Sequence, residues 1–300
     1  MMVREPGLAG SWYPAGREAC ARAIEALRPK QTPPSTGGRT GPEGLPERPV
    51  AGIVPHAGWS FSGATALAVF DAIRSRRTPR TFVLLGFCHR RRLARSAVFA
   101  EGGWDTPLGL VEVDARLAGE VLARAPDLAD ENPGAHVDEN SIELQVPFIR
   151  HLFPEAKILP IAVVPNEKAA MLGRIIGQAI AGLEADAVCI GSTDLTHYGA
   201  SYGFAPKGPG AAGIRWMRDE NDKRMVDLMV RLDAEAAVPE AHANSNACGP
   251  GAVAATLAAA RELGAARGHV VQYTTSYDVM REQMGREDAQ AAVGYAGVVF

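Results

Sequence analysis

The chain lacks any apolar run as long as the roughly 18 residues that a membrane-spanning helix needs. Its first ten residues, MMVREPGLAG, contain no apolar core of the kind that a signal peptide carries. Its four cysteines are scattered over 300 residues without a pairing pattern, so we expect reduced thiols rather than disulfides. These absences predict a cytoplasmic protein. Cys20 and Cys189 have apolar neighbours in the sequence, so we expect them to be packing residues.

An excess of either charge is also missing. The 31 basic and 34 acidic residues give a net charge of -3, which offers no electrostatic reason to expect nucleic-acid or membrane binding. Basic residues do cluster locally, at Arg90, Arg91 and Arg92. We interpret this cluster mainly as solvated loop charge, although it adjoins His89 and could attract an anionic substrate or partner.

Short apolar runs alternate with helical patterns from residue 50 onward, after a Pro- and Gly-rich segment at 29–49 that predicts a flexible surface loop. This alternation predicts one α/β domain over residues 1–300, with a mostly parallel or mixed sheet covered by helices on both faces. The predicted strands are 51–54, 82–85, 157–163, 187–190, 270–275 and 292–299, with a hairpin at 97–113. The predicted helices are 17–27, 62–74, 115–124, 139–151, 167–183, 218–232 and 251–263, and a glycine-rich loop at 200–214 is expected to lie over the site.

A histidine follows each of three predicted strands: His56, His89 and His197. Ligands of open α/β sheets bind outside the carboxyl ends of the strands, where these side chains would meet. Cys248 lies at the entrance of an alanine-rich helix, whose N-terminus favours a thiolate. The pattern therefore predicts one site that brings these residues together.

Imidazole and thiolate groups are good ligands for Fe(II), Zn(II) or copper, and three protein ligands leave positions open for catalysis. His56, His89 and Cys248 fit that description. Each also has an ordinary structural interpretation: His56 as a capping turn residue, His89 as part of the surface, and Cys248 as a small residue beside a tight turn.

Asp194 and His197 lie three residues apart after a strand. The carboxylate could orient the imidazole, and a histidine that titrates near neutrality is a natural general acid or base. The alternative is that Asp194 caps a helical turn while His197 is half-buried.

Seven segments of the chain, in this order, resemble one family. They are REPGLAGSWYP (4–14), PHAGWSFSG (55–63), LGFCH (85–89), WDTPLG (104–109), ENSIELQVPF (139–148), STDLTHYG (192–199) and ACGPG (247–251). Together they resemble the Memo family, whose bacterial members are often called AmmeMemoRadiSam system protein B.

The resemblance implies the fold of class III extradiol dioxygenases, which open catechol rings at a non-haem Fe(II) held by two histidines and a carboxylate. In the Memo family a cysteine replaces the carboxylate, and Cys248 matches it. His56 and His89 match the two histidines, and His197, with Asp194 beside it, matches the acid/base histidine. The family name also implies two partners, a radical SAM protein and a second small protein.

The chain departs from the family pattern at two positions. Asn140 stands where the family usually has histidine, and His136 is a candidate to replace it. Cys88 stands where serine or proline is common, which places a second thiol beside the expected ligands. With Glu143, these residues complete the set that we expect around the ligands.

The leading hypothesis is a cytoplasmic redox enzyme that uses Fe(II), or copper as the second choice, and acts on a small-molecule substrate. One alternative is a metal-free hydrolase or transferase with Cys248 as nucleophile and His197 as base. The other is a non-catalytic adaptor, because eukaryotic Memo proteins are known to recognise phosphotyrosine peptides. In that case Arg91 and its basic neighbours would bind the anion.

Overall fold

The computed structural model describes residues 2–28, 44–285 and 289–300. Most of the predicted surface loop at 29–49 lies outside the described residues, and its prediction stays untested. Strands and helices alternate along the described chain. The strands are β1 (Val3–Arg4), β2 (Ala51–Val54), β3 (Thr81–Gly86), β4 (Ser96–Val98), β5 (Gly103–Trp104), β6 (Val111–Glu112), β7 (Ala129–Glu131), β8 (Lys157–Ala162), β9 (Ala187–Ser192), β10 (His197–Gly199), β11 (His269–Thr275) and β12 (Ala291–Val299).

Helices connect these strands, and among the described residues none is both long and apolar enough to cross a membrane. A π-helical turn, Met217–Asp222, joins the sixth and seventh helices. The helices are α1 (Arg17–Ala26), α2 (Trp59–Arg74), α3 (Ala115–Arg124), α4 (Val146–Leu152), α5 (Ala169–Gly182), α6 (Ala211–Trp216), α7 (Lys223–Arg231), α8 (Ala234–Asn244), α9 (Pro250–Glu262) and α10 (Ser276–Met284).

The centre of the main sheet is parallel, in the order β2-β9-β3-β8. Its strands consist largely of buried Val, Ile, Leu and Ala residues, as expected of parallel strands covered on both faces. Antiparallel neighbours flank the centre, with β12 on β2 and β4 on β8. The prediction of a mixed sheet is confirmed.

Helices cover both faces of this sheet. Buried side chains of α3, α5, α7, α8 and α9 form one core, and those of α1, α2 and α4 form the other. Cys20 and Cys189 are fully buried in these two cores, as predicted, and burial raises the pKa of their thiols to about 11 and about 12. The predicted α/β architecture in one domain is confirmed.

The hairpin predicted at 97–113 is confirmed over 103–112, where β5 and β6 pair antiparallel with Gly103 opposite Glu112, but β4 does not belong to it. Strand β4 joins the main sheet between β7 and β8, whereas β5 and β6 form a separate three-stranded sheet with β1. Alternation of apolar residues predicts strands but does not specify which strand pairs with which. The N-terminal strand β1 pairs with β5, and no local pattern in the sequence indicated this pairing.

The helix predicted from residue 139 begins later, at Val146, after a 3-10 turn at Glu143–Gln145. The Glu139 carboxylate accepts hydrogen bonds from the amides of Ser141 and Ile142, at 2.8 and 3.0 Å. Those amides are therefore satisfied by a side chain in a non-helical loop.

Helices α8 and α10 were not predicted at all. In α8, Pro239 lies inside the helix and counts against a helical interpretation of its sequence. The predicted glycine-rich loop at 200–214 is also partly helical, because α6 begins at Ala211.

Candidate metal centre

The candidate residues meet because the central strands end together. In the parallel register, Val54 of β2 lies beside Ser192 of β9, and Leu85 of β3 lies beside Gly191. His56 follows β2 by two residues, Asp194 follows β9 by two, and His89 follows β3 by three. The structure places His56 and His89 at the expected carboxyl edge of the sheet together with Asp194, while His197, the third predicted histidine, begins β10 and lines the same cavity.

His56, His89 and Cys248 form a group that could hold a metal ion, with their ligand atoms all within 4.8 Å of one another. His56 Nε2 lies 3.1 Å from Cys248 Sγ, and the two imidazole rings are nearly perpendicular, with centroids 5.1 Å apart. Ligand atoms about 2.0–2.3 Å from a shared ion would be separated by roughly 3–4 Å. The donor set therefore fits a metal with small side-chain adjustments.

Hydrogen bonds orient the His56 ring toward the cysteine. The Ser192 hydroxyl donates to the Ser141 carbonyl oxygen at 2.8 Å, so its oxygen accepts from His56 Nδ1 at 3.0 Å. Nε2 is then the unprotonated nitrogen and faces Cys248. Burial lowers the pKa of His56 to about 3, which keeps the ring in the neutral form that binds metals.

His89 lies beside Glu139, whose Oε1 is 3.6 Å from Nδ1 of the ring, an electrostatic contact longer than a hydrogen bond. Burial alone would raise the pKa of Glu139, but His89, the Ile142 and Ser141 amides and the Ser141 hydroxyl together hold it below its usual range. Gly86 permits this arrangement, because a Cβ there would lie 2.4 Å from Ser141 Oγ. No sequence pattern assigned this role to Glu139.

Cys248 is held against the end of β9. Its amide donates to the Asp194 carbonyl oxygen at 3.2 Å, and its Sγ accepts from the Asp194 amide at 3.3 Å. A Cβ on Gly249 would lie 2.6 Å from the Ser192 carbonyl oxygen, so the glycine allows this close packing.

The expectation that the helix N-terminus makes Cys248 a thiolate is not met by the protein alone. Burial, with Asp194 as the next largest cause, raises the pKa of the thiol to about 12. A bound cation is the kind of charge that would favour the thiolate here.

Asp194 and His197 lie beside the ligand group. Asp194 Oδ1 accepts from the His56 amide at 2.7 Å, and burial raises the pKa of the carboxyl to about 6. His197 Nε2 lies 4.0 Å from Asp194 Oδ2; it is buried and has no hydrogen-bond partner among the described residues. Burial lowers the pKa of His197, so the ring is neutral and can exchange a proton with a ligand.

A cavity of about 500 Å³ opens over these groups, a volume that suits a small molecule. His56, His89, Asp194 and His197 form its polar end. Asn140 also lines it, and the structure gives this carboxamide no hydrogen bond within the described chain. The apolar walls come from separate segments and include Trp12, Phe61, Tyr202, Met280, Val293 and Tyr295.

Three other predicted neighbours do not face this cavity. The Cys88 thiol donates to the Ala135 carbonyl oxygen at 3.6 Å and is not among the grouped ligands. His136 does not replace the histidine that the family usually has at position 140. It is buried against Trp104, and its Nε2 lies 3.1 Å from the Ala97 carbonyl oxygen. Glu143 is paired with Arg4 at 2.8 Å, away from the ligands.

A buried polar network behind the site had escaped prediction. Asp222 accepts from the Thr196 amide at 2.9 Å, and Asn221 donates to the Thr196 hydroxyl at 3.0 Å. Asn246 donates to the Asn221 carbonyl oxygen at 2.9 Å, which ties the segment before Cys248 to the segment carrying His197. No local sequence signal joins residues 25 positions apart.

Comparison with known proteins gives a match over nearly the whole chain. The model of a family described as Memo-like protein matches residues 4–299. The MEMO1 family protein TK1477 of Thermococcus kodakarensis is 38% identical, with 100% of this chain and 99% of that protein covered. MEMO1 family proteins of Thermococcus onnurineus and Pyrococcus abyssi are 36% and 34% identical, with the same coverage.

The fold is also similar to a solved structure. The crystal structure of uncharacterized protein JW3007 from Escherichia coli K12 matches with a TM-score of 0.52 and 13% identity, covering 83% of this chain and 99% of that one. At this identity the likeness concerns the fold alone.

Proposed function

Because the chain belongs to the Memo family, with a group of two histidines and a cysteine that could hold a metal, we propose that it is a metal-dependent redox enzyme. The metal is Fe(II), with copper as the second choice, and the substrate is a small molecule. The observation that carries the proposal is the set of converging ligand atoms of His56, His89 and Cys248, two of which, His56 and His89, line a cavity of about 500 Å³.

The donor set supports a redox metal. Two imidazoles and a thiolate suit Fe(II), Zn(II) and copper, and the thiolate makes the metal softer and more electron-rich than a carboxylate would. When bound, such an ion supplies electron-transfer chemistry to a coordinated substrate or oxidant. The cysteine ligand is also the reason not to transfer catechol cleavage from the dioxygenases to this chain.

The remaining polar groups of the cavity move protons. His197 Nε2 has no hydrogen-bond partner in the described protein, so a substrate proton can pass to it. Asp194, 4.0 Å away, stabilises the protonated ring and fixes the adjacent His56 backbone. The aromatic walls position the substrate and exclude water from the polar end.

The metal-free alternative has less support. A thiol nucleophile needs a base that removes its proton. The imidazole beside the Cys248 thiol is that of His56 rather than His197, and burial lowers the pKa of His56 to about 3, which makes it a weak base for a thiol whose pKa burial raises to about 12.

We also propose a cytoplasmic location, and the four free cysteines agree with it. A radical SAM protein and a second small protein are the proposed partners. Their support is the family resemblance of the sequence.

Elemental analysis of anaerobically purified protein tests the proposal. We expect one redox-active metal ion per chain, and a loss of about tenfold or more in metal content for His56→Ala, His89→Ala and Cys248→Ala. Cys88→Ala and His151→Ala are matched controls, because neither residue belongs to the ligand group.

Unchanged metal content in the three ligand variants would contradict the proposal. Activity that is abolished by thiol alkylation but survives complete metal removal would favour the metal-free alternative instead.

A further inference from the structure

A second cavity, of about 620 Å³, shares His89 with the first. Its basic lining comes from the three consecutive arginines and from His242 in the last turn of α8. The rest of the lining is mostly apolar and comprises Phe87, Cys88, Leu93, Val163, Val164 and Pro165.

The arginines of this cavity have few partners within the protein. Arg91 lies 3.6 Å from Asp138, and both side chains are half exposed. Arg90 and Arg92 form no ion pair with any described residue. In a chain with a net charge of -3, this loop is therefore a local concentration of unneutralised positive charge.

We propose that this cavity binds a carboxylate or phosphate group of a small anionic ligand. Guanidinium groups present paired N–H donors that match both kinds of anion. Because His89 lies in the walls of both cavities, the anion would be held beside the candidate metal centre. Anion binding itself does not depend on the proposed function, but the identification of the bound anion as the substrate rests on it.

The volume of the cavity favours a small molecule over a peptide. A cavity of this volume accommodates a compact ligand. The apolar side chains of the segments that follow β3 and β8 can cover the carbon part of that ligand. The substrate class that follows is an anionic small molecule, with one part at the metal centre and its charged group among the arginines.

Calorimetric titration of the full-length protein with inorganic phosphate and with succinate, at low ionic strength, tests the site. The test variant is Arg90→Gln/Arg92→Gln. The matched control is Arg74→Gln/Arg76→Gln, which removes the same charge outside the cavity. Arg74 is the last residue of α2, Arg76 follows it by two residues, and both are exposed. We expect about tenfold or more weaker anion binding in the test variant, affinity close to wild type in the control, and weakening of wild-type binding by salt.

The two probes identify the anion, since tighter phosphate binding indicates a phosphate-bearing ligand and tighter succinate binding a carboxylate. The site is overturned if wild type binds neither probe, or if both arginine pairs matter equally. A phosphotyrosine peptide that binds while phosphate and phenyl phosphate do not would overturn the small-molecule proposal in favour of peptide recognition.

Titration of the Cys248→Ala variant separates this inference from the proposed function. Loss of metal with retained phosphate binding supports both. Retained phosphate binding together with unchanged metal content contradicts the proposed function while the anion site stands.

Discussion

Two buried polar clusters draw a carboxylate from the segment 136–145, Glu143 in one and Glu139 in the other, and they differ in how fully their polar atoms are paired. In the anchor cluster, formed by Arg4, Tyr13 and Glu143, each oxygen of the Glu143 carboxylate has two partners. Oε1 accepts from the Leu8 amide at 2.7 Å and from the Tyr13 hydroxyl at 2.8 Å. Oε2 accepts from the Gly7 amide at 3.2 Å and pairs with Arg4 at 2.8 Å.

The metal centre lacks this completeness. His197 Nε2 is buried without a hydrogen-bond partner among the described residues, and His197 lines the cavity. Buried polar atoms are normally paired, so those that are not paired and face a cavity indicate where a ligand binds. The comparison teaches that the anchor cluster holds the N-terminal segment in place, while the metal centre is arranged for an external ligand.

The largest expected effect is on stability, from Glu143→Ala. The substitution leaves the Arg4 guanidinium buried without its carboxylate, which costs about 3–5 kcal/mol of unfolding free energy. Urea denaturation of metal-free protein measures it, and Glu143→Gln, which keeps an acceptor, should lose less.

The metal content of folded Glu143→Ala should equal that of wild type. A loss of metal comparable with that of Cys248→Ala would break the distinction between the two clusters. An exposed carboxylate, Glu131, supplies the control substitution Glu131→Ala.

Asp222 sharpens the comparison, because this carboxyl is hydrogen-bonded and yet burial raises its pKa to about 6. A raised folded-state pKa means that protonation favours the folded state. Wild type should therefore lose about 3 kcal/mol relative to Asp222→Asn as pH rises from about 4 to about 7. Unfolding free energies of the two proteins over that range provide the measurement, and parallel curves would contradict the prediction.

Ser192→Ala should have the smallest effect, and on metal affinity rather than on the fold. Removing the hydroxyl that accepts from His56 Nδ1 frees the ring, and such losses weaken metal binding by about 10–100-fold. Competition with a chelator measures the affinity, with Ser75→Ala as the control because that hydroxyl donates to the Ala72 carbonyl oxygen at 2.7 Å and Ser75 is not in the ligand group. Equal affinity in Ser192→Ala and wild type would show that the ring needs no support from this serine.

The sequence predicted what depends on local pattern. Apolar runs marked the central strands, and the rule that parallel strands share a ligand-binding edge predicted that His56, His89 and His197 lie together, as they do around one cavity. Cys248 was found through its position at a helix entrance.

Contacts between distant segments could not be predicted in this way. Glu143 was expected near the ligands, but its carboxylate is drawn to Arg4, which comes from a strand whose pairing no local pattern indicated. Asn221 and Asn246 meet only because the π-helical turn and the segment before α9 pack together. Side-chain direction in such places is decided by tertiary packing.

X-ray absorption spectroscopy at the edge of the metal bound by the anaerobically purified full-length protein tests the central claim most directly. The account predicts one sulfur neighbour at about 2.3 Å and two imidazole nitrogens at about 2.1 Å, with the sulfur lost in any metal retained by Cys248→Ala. A bound metal without a sulfur neighbour, or a sulfur signal that persists in Cys248→Ala, would contradict it.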